Sequence, residues 1–168
     1  MHWLIRFAWI LIVPILVAPS GCGQKFEAPG IGDQQDPALS GSGRLLATVA
    51  ERSGRRSVRL VERSSGQELP LNGLHWGTPH RSPSLSWNGR YLALILQRGE
   101  RSEIVVLDRA LGRLRPLPLP GDRIPQAVAL APDGKRLAVQ LLHRGQQDVE
   151  LFKLPAHEPD LPPGAPLR

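Results

Sequence analysis

Few residues in this chain could do chemistry. His75, Trp76 and His80 share one stretch, residues 72–81, where two imidazoles and an indole come close in sequence. Two imidazoles could hold a metal ion. Five residues apart in an irregular segment, they fix no geometry, and no third ligand accompanies them. No metal and no cofactor is expected. Trp76 fits better as a plug between packed units or an amphipathic anchor on a partner. The chain has no Gly-x-Ser-x-Gly elbow, phosphate loop, His-Glu-x-x-His or paired-cysteine spacing. Its serines fall in turns, where hydroxyls ordinarily bond nearby backbone. No catalytic residue is expected.

Cys22 is the one cysteine, so no internal disulfide can form. Residues 7–18 are an apolar run after Arg6, too short to span a bilayer as a helix but suited to the core of a secretory signal. Pro19, Ser20 and Gly21 lead into Cys22, an arrangement similar to a bacterial lipoprotein cleavage site, although Pro19 stands where such sites usually carry Leu. That resemblance implies lipidation of Cys22 and attachment to a membrane in the cell envelope, on its periplasmic or other extracytoplasmic side.

The chain is basic, with 21 Lys and Arg against 15 Asp and Glu, and nearly all the positive charge is Arg. Past residue 21 the balance is 20 − 15 = +5. Such a surplus suits acidic protein, anionic envelope polymer or lipid headgroups. Nucleic acid is disfavoured, because the signal directs the chain outward and no binding motif or aromatic platform is present.

The elements that must position these residues come from a repeat. Residues 39–48 (LSGSGRLLAT), 85–94 (LSWNGRYLAL) and 130–139 (LAPDGKRLAV) are three copies of strand, turn and strand. Their turns are Ser42-Gly43, Asn88-Gly89 and Asp133-Gly134. Asn-Gly and Asp-Gly favour tight hairpins because both residues tolerate positive φ. The three glycines are spaced by 46 and 45 residues, as are Val58, Ile104 and Val149, while Pro70 and Pro116 are 46 apart. A period of this length with several strands per unit marks a repeat array or propeller. The continuous apolar run 91–96 reads as a strand covered on both faces. Pro70 and Pro116 read as outer-edge residues, since proline cannot donate to a sheet ladder.

The units resemble the TolB-type, WD-like β-propeller repeat, whose hallmark is a Ser-Pro-Asp-Gly-Lys turn before a hydrophobic-Ala strand. Residues 131–135 depart from it by one substitution, Ala131 for Ser. The resemblance covers roughly residues 37–154 and implies an all-β chain of three antiparallel blade-like sheets, an incomplete propeller. The domain reading is a signal peptide (1–21), a flexible tether (22–35), a repeat domain (36–154, units near 37–71, 82–119 and 125–154) and a disordered Pro-rich tail (155–168).

In a four-stranded meander, the hairpins joining the second and third strands lie at the same end as the links between units. That end would carry Arg52, Arg55, Arg56, Arg81, Arg98, Arg101, Arg123 and Arg144, with Glu51, Glu100 and Asp122 interspersed, beside His75 and Trp76, a candidate binding face. Three units do not close a ring, so a protein partner or a second copy is expected to cover the ends. The expected function is a non-catalytic, envelope-located binding or scaffold module. The rival is an enzyme or accessory subunit with a site in the propeller funnel. It would need converging acid, base or metal ligands on the first strands, which instead supply Ala38, Leu39, Leu85, Ala129 and Leu130.

Overall fold

The computed structural model describes residues 33–75, 77–155 and 158–164. Cys22, the signal segment, most of the tether and Trp76 lie outside the described residues. Among the described residues there are eleven strands and no helix. β1 (Gln34–Leu39), β2 (Leu45–Arg52), β3 (Arg55–Glu62) and β4 (Glu68–Leu69) form the first sheet. β5 (His80–Leu85), β6 (Tyr91–Arg98), β7 (Arg101–Asp108) and β8 (Arg113–Leu117) form the second. β9 (Ile124–Leu130), β10 (Arg136–His143) and β11 (Gln146–Lys153) form a three-stranded third. All pairings are antiparallel.

The repeat turns are equivalent in space. Ser40, Ser86 and Ala131 each donate their N–H across the turn, to Leu45 (2.9 Å), Tyr91 (3.0 Å) and Arg136 (2.9 Å). Each carbonyl of those three residues accepts from the turn glycine, at 2.8, 3.1 and 2.8 Å. Gly43, Gly89 and Gly134 have φ of 71°, 72° and 75°, the left-handed region glycine occupies without a Cβ penalty. The glycine alone uses that freedom, because Ser42, Asn88 and Asp133 do not adopt positive φ. Each turn is therefore a type I turn closed by a left-handed glycine. The Asp133 carboxylate instead accepts the Lys135 N–H at 3.0 Å, a local bond that favours this geometry.

β1, β5 and β9 are the inner strands and pack on one another. Side chains stitch them at the repeat spacing. Asp36 Oδ2 accepts the Ser82 N–H (2.9 Å), Ser82 Oγ the Val128 N–H (3.0 Å), and Ser84 Oγ the Leu130 N–H (2.8 Å). Asp36 and Ser82 sit at bulges with φ near 50°, each followed by proline. The bulge turns the polar group toward the neighbouring blade.

Two apolar seams hold the blades together. Leu45, Val49, Val58 and Leu60 of the first blade pack on Leu92, Leu94 and Val105 of the second. Tyr91, Ile95, Ile104 and Val106, on the second blade's other face, pack on Val128, Leu137, Val139 and Leu141 of the third. The run 91–96 is buried throughout, as its sequence requires for a strand covered on both sides.

Strand alternation explains the prolines. Pro116 pairs with Val105, at a position whose nitrogen faces away from β7, so no ladder bond is lost. Pro70 follows directly on β4, which is only two residues long. Beyond β4 the Val58 N–H has no strand partner, and buried His80 Nδ1 accepts it at 3.1 Å.

Two boundary expectations are corrected. The tether does not run to residue 35, because Gln34 and Gln35 pair with Ala50 and Val49, and Gln34 Oε1 accepts from Thr48 Oγ1. Nor are residues 158–164 a disordered tail. Asp160 is 5 % exposed, and its carboxylate accepts from Ser86 Oγ (2.6 Å), the Asn88 N–H (2.8 Å), Asn88 Nδ2 (3.0 Å) and the Arg90 N–H (3.2 Å). The Asp160 N–H in turn donates to Asp133 O at 3.1 Å. One buried carboxylate thus clasps the second blade's turn to the third's, and a charged acceptor makes such bonds stronger than neutral ones.

Candidate functional site: the hairpin end

Three two-residue hairpins and the links between blades gather at one end of the sheets. Ser53 and Gly54 have φ of 53° and 71°, and Arg144 and Gly145 have 50° and 82°. These are type I′ turns, whose twist matches the flanking strands. In the second blade Gly99 alone is left-handed (φ 59°), which makes the 99–100 turn type II′. The flanking pairs are Arg52 with Arg55, Arg98 with Arg101, and His143 with Gln146. Arginines therefore sit at the tips because the two-residue turn fixes where each strand ends.

The structure divides the candidate residues. Arg55, Arg56, Arg101 and Arg144 are exposed and form no ion pair among the described residues. Arg98 is paired with Glu103 (3.1 Å) and Arg123 with Glu150 (2.9 Å). Asp122, at the same end, is taken by His143 at 3.0 Å. Arg52 is described for its backbone alone, at the end of β2. Arg81 is not a free cation of this face. Its guanidinium donates to Ser102 Oγ (3.2 Å) and to Pro125 O (2.8 Å), tying the second blade to the third.

The two histidines part company. His75 is exposed, and its carbonyl accepts the Thr78 N–H at 3.4 Å. His80 is buried, with Nδ1 occupied by the Val58 N–H, so Nε2 carries the proton of the neutral ring. Burial lowers its pKa below the usual imidazole range, with the His75 carbonyl opposing. His80 is a structural cap, and the pair does not form a ligand set. Among the described residues no group of three His, Cys, Asp or Glu side chains is placed to hold a metal ion.

Sequence reasoning missed a second charged cluster, at the opposite end. Arg90 bonds Asp108 through Nε (3.4 Å) and also pairs with Glu158. Its pKa is raised, chiefly by Glu158 and then by Asp108. The Tyr91 hydroxyl donates to Glu158 O at 2.6 Å, and burial raises its pKa against the opposing pull of Arg90. Arg109 Nη1 donates to Gly89 O (2.7 Å), as Arg63 does to Gly43 O (2.8 Å). These contacts brace the repeat turns. The 46-residue spacing of Arg63 and Arg109 was the signal that could have revealed the second of them.

Three blades on a shared inner line, each with an equivalent turn, define an incomplete β-propeller of TolB-like fold. Solved structures agree. The TolB structure from Acinetobacter baumannii superposes with a TM-score of 0.57 at 20 % identity, over 71 % of this chain and 29 % of that one. A putative TolB from Agrobacterium tumefaciens gives 0.53 at 18 %, over 72 % and 49 %. The Kuenenia stuttgartiensis hydrazine synthase gives 0.52 at 22 %, over 70 % and 39 %. The chain thus spans less than half the length of each of these structures. No family model and no curated protein matches it.

Proposed function

We propose that this chain is a non-catalytic protein-binding scaffold of the cell envelope, held to a membrane through lipidated Cys22, that engages an acidic partner surface with its hairpin end. The observation that carries the reading is the set of four exposed arginines, Arg55, Arg56, Arg101 and Arg144, with no ion pair among the described residues, while Glu103, Glu150 and Asp122 are engaged and Glu51 and Glu100 are exposed acids left at that end. A surplus of unpaired positive charge on clustered tips raises the encounter rate with an oppositely charged partner. Arg144 supports the reading a second way. It holds a left-handed φ of 50° that costs a non-glycine residue about 1–2 kcal/mol. The exposed His75 lies in a link at the same end.

The test is a combined Arg55→Glu, Arg101→Glu and Arg144→Glu variant, compared with the parent in affinity purification from envelope extracts. Loss of a partner that the parent retains is the expected result, and an unchanged partner set retires the reading. Fatty-acid labelling of Cys22, abolished in Cys22→Ala, checks the anchor separately. Light scattering then separates the two kinds of partner, a second copy giving twice the monomer mass.

A further inference from the structure

The repeat assigns a place to every strand of a blade, and one place is vacant. β3 and β7 each carry a fourth strand on their outer edge, whereas among the described residues β11 has β10 as its one neighbour. β7 pairs with β8 so that Ile104 meets Leu117 and Asp108 meets Arg113. Carried 45 residues forward, the slot beside β11 belongs to residues 158–162. That segment has Pro159 and Pro162, and Pro162 falls opposite Val149, where a ladder donor is required. The segment leaves the edge instead, and Asp160 clasps the second blade's turn.

The outward backbone groups of Val149, Leu151 and Lys153 are left without a strand partner among the described residues. The hairpin 143–146 fixes this, because its two-residue turn makes His143 and Gln146 the bonded pair and alternate residues then face out. Val149 and Leu151 are 73 % and 67 % exposed. Between this edge and β8 lies a cavity of about 180 Å³, lined by Tyr91, Val106, Pro116, Leu117 and Leu154 among others. Arg115 reaches this cavity, and Arg113 lies two residues away on the same face of β8. Neither makes an ion pair among the described residues. In the second blade the equivalent strand points Leu114 at the seam with the first. The cavity stands where the counterpart of Leu114 would sit.

We propose that the β11 edge takes one extended strand from a partner protein, antiparallel to β11. An apolar side chain of that strand fills the cavity, and a carboxylate two positions away, on the same face, meets Arg115 and Arg113. Backbone pairing supplies affinity and the alternating side chains supply selectivity, the usual terms of strand addition. A second copy's β11 does not fit. Antiparallel pairing of two identical edges keeps directly opposed residues on one face, so both second blades would lie on the same side of the joint sheet. β8 of each copy would then fall where β7 of the other sits.

The probe is a capped nine-residue peptide of alternating Thr and Val, with Leu and Glu two positions apart on one face, and its twin with Lys for Glu. Fluorescence anisotropy with the full chain is expected to show the acidic peptide binding at least tenfold more tightly than the basic one. Arg115→Glu is expected to reverse that order. Leu151→Pro removes an outward N–H, the situation Pro116 already occupies in β8, and is expected to abolish binding of both with circular dichroism unchanged. The triple hairpin variant should bind the peptide as the parent does, which separates this site from the arginine face. Indifference of the peptides to Leu151→Pro, or a dimer in light scattering that Leu151→Pro dissolves, would overturn the proposal.

Discussion

Leu60 and Leu151 hold the same position in the first and third blades, and so do Val58 and Val149. Leu60 and Val58 are 0 % and 1 % exposed, while Leu151 and Val149 are 67 % and 73 % exposed. The residue types match, the strand alternation matches, and the hairpins ahead of them are both type I′. What differs is the next blade. The first blade's forward face is covered by the second, and no described residues cover the third blade's forward face. Full burial of a Val or Leu side chain is worth about 1.5–3 kcal/mol. The same two letters of sequence therefore stabilise one blade and leave the other an open surface.

The sharpest way to break this comparison is to truncate both members. Leu60→Ala is expected to cost about 2–5 kcal/mol in urea unfolding, the range for a buried leucine that leaves a cavity. Leu151→Ala should stay within about 0.5 kcal/mol of the parent, as exposed sites do. Equal losses would mean that the third blade's face is covered in solution.

The next effect concerns how the third blade is held without a fourth strand. Asp160→Ala strands the N–H groups of Asn88 and Arg90 and leaves the Ser86 hydroxyl proton only its 3.3 Å bond to Tyr91 O, and is expected to lower stability by about 2–3 kcal/mol. The reading is thermal denaturation with protease sensitivity, and cleavage should begin in the third blade.

His80 sharpens the comparison at the other seam. Its folded pKa lies below the unfolded value near 6.5, so below that pH the unfolded chain binds the proton more readily than the folded one. Stability is complete above pH 6.5. It falls as the pH drops from there toward the folded pKa, with a slope from this group of at most about 1.4 kcal/mol per pH unit. His80→Gln should remove that slope, and chemical denaturation at pH 7 and 5 measures it. Arg144→Gly should have the smallest effect. Relief of the left-handed backbone is offset by glycine's greater freedom in the unfolded chain, a net change of about 0.5 kcal/mol. Affinity for an acidic partner should weaken all the same.

Much of the fold could be read from residue spacing. The 45- and 46-residue period located the equivalent turns, the buried run 91–96 and the outer-edge Pro116. All three depend on local chemistry, namely a left-handed glycine, strand alternation and a missing N–H. The candidate face was legible in part. The hairpins put arginines at one end, but the free and the engaged could not be separated, since Arg81 and Arg123 bond groups distant in sequence. The Asp160 clasp was not legible at all. Its partner Ser86 is 74 residues away, and a lone carboxylate among prolines carries no periodic signal.

The sequence by itself determined the module: its repeat period, which face of a strand is apolar, and where the chain reverses. These are set within a few residues by backbone preference and alternation. The tertiary structure alone decided which apolar faces are covered, which arginines remain unpaired, and that residues 158–162 clasp a turn instead of completing the third blade. Those outcomes depend on which surfaces meet, and a repeating pattern contains no term for what lies beyond its last copy.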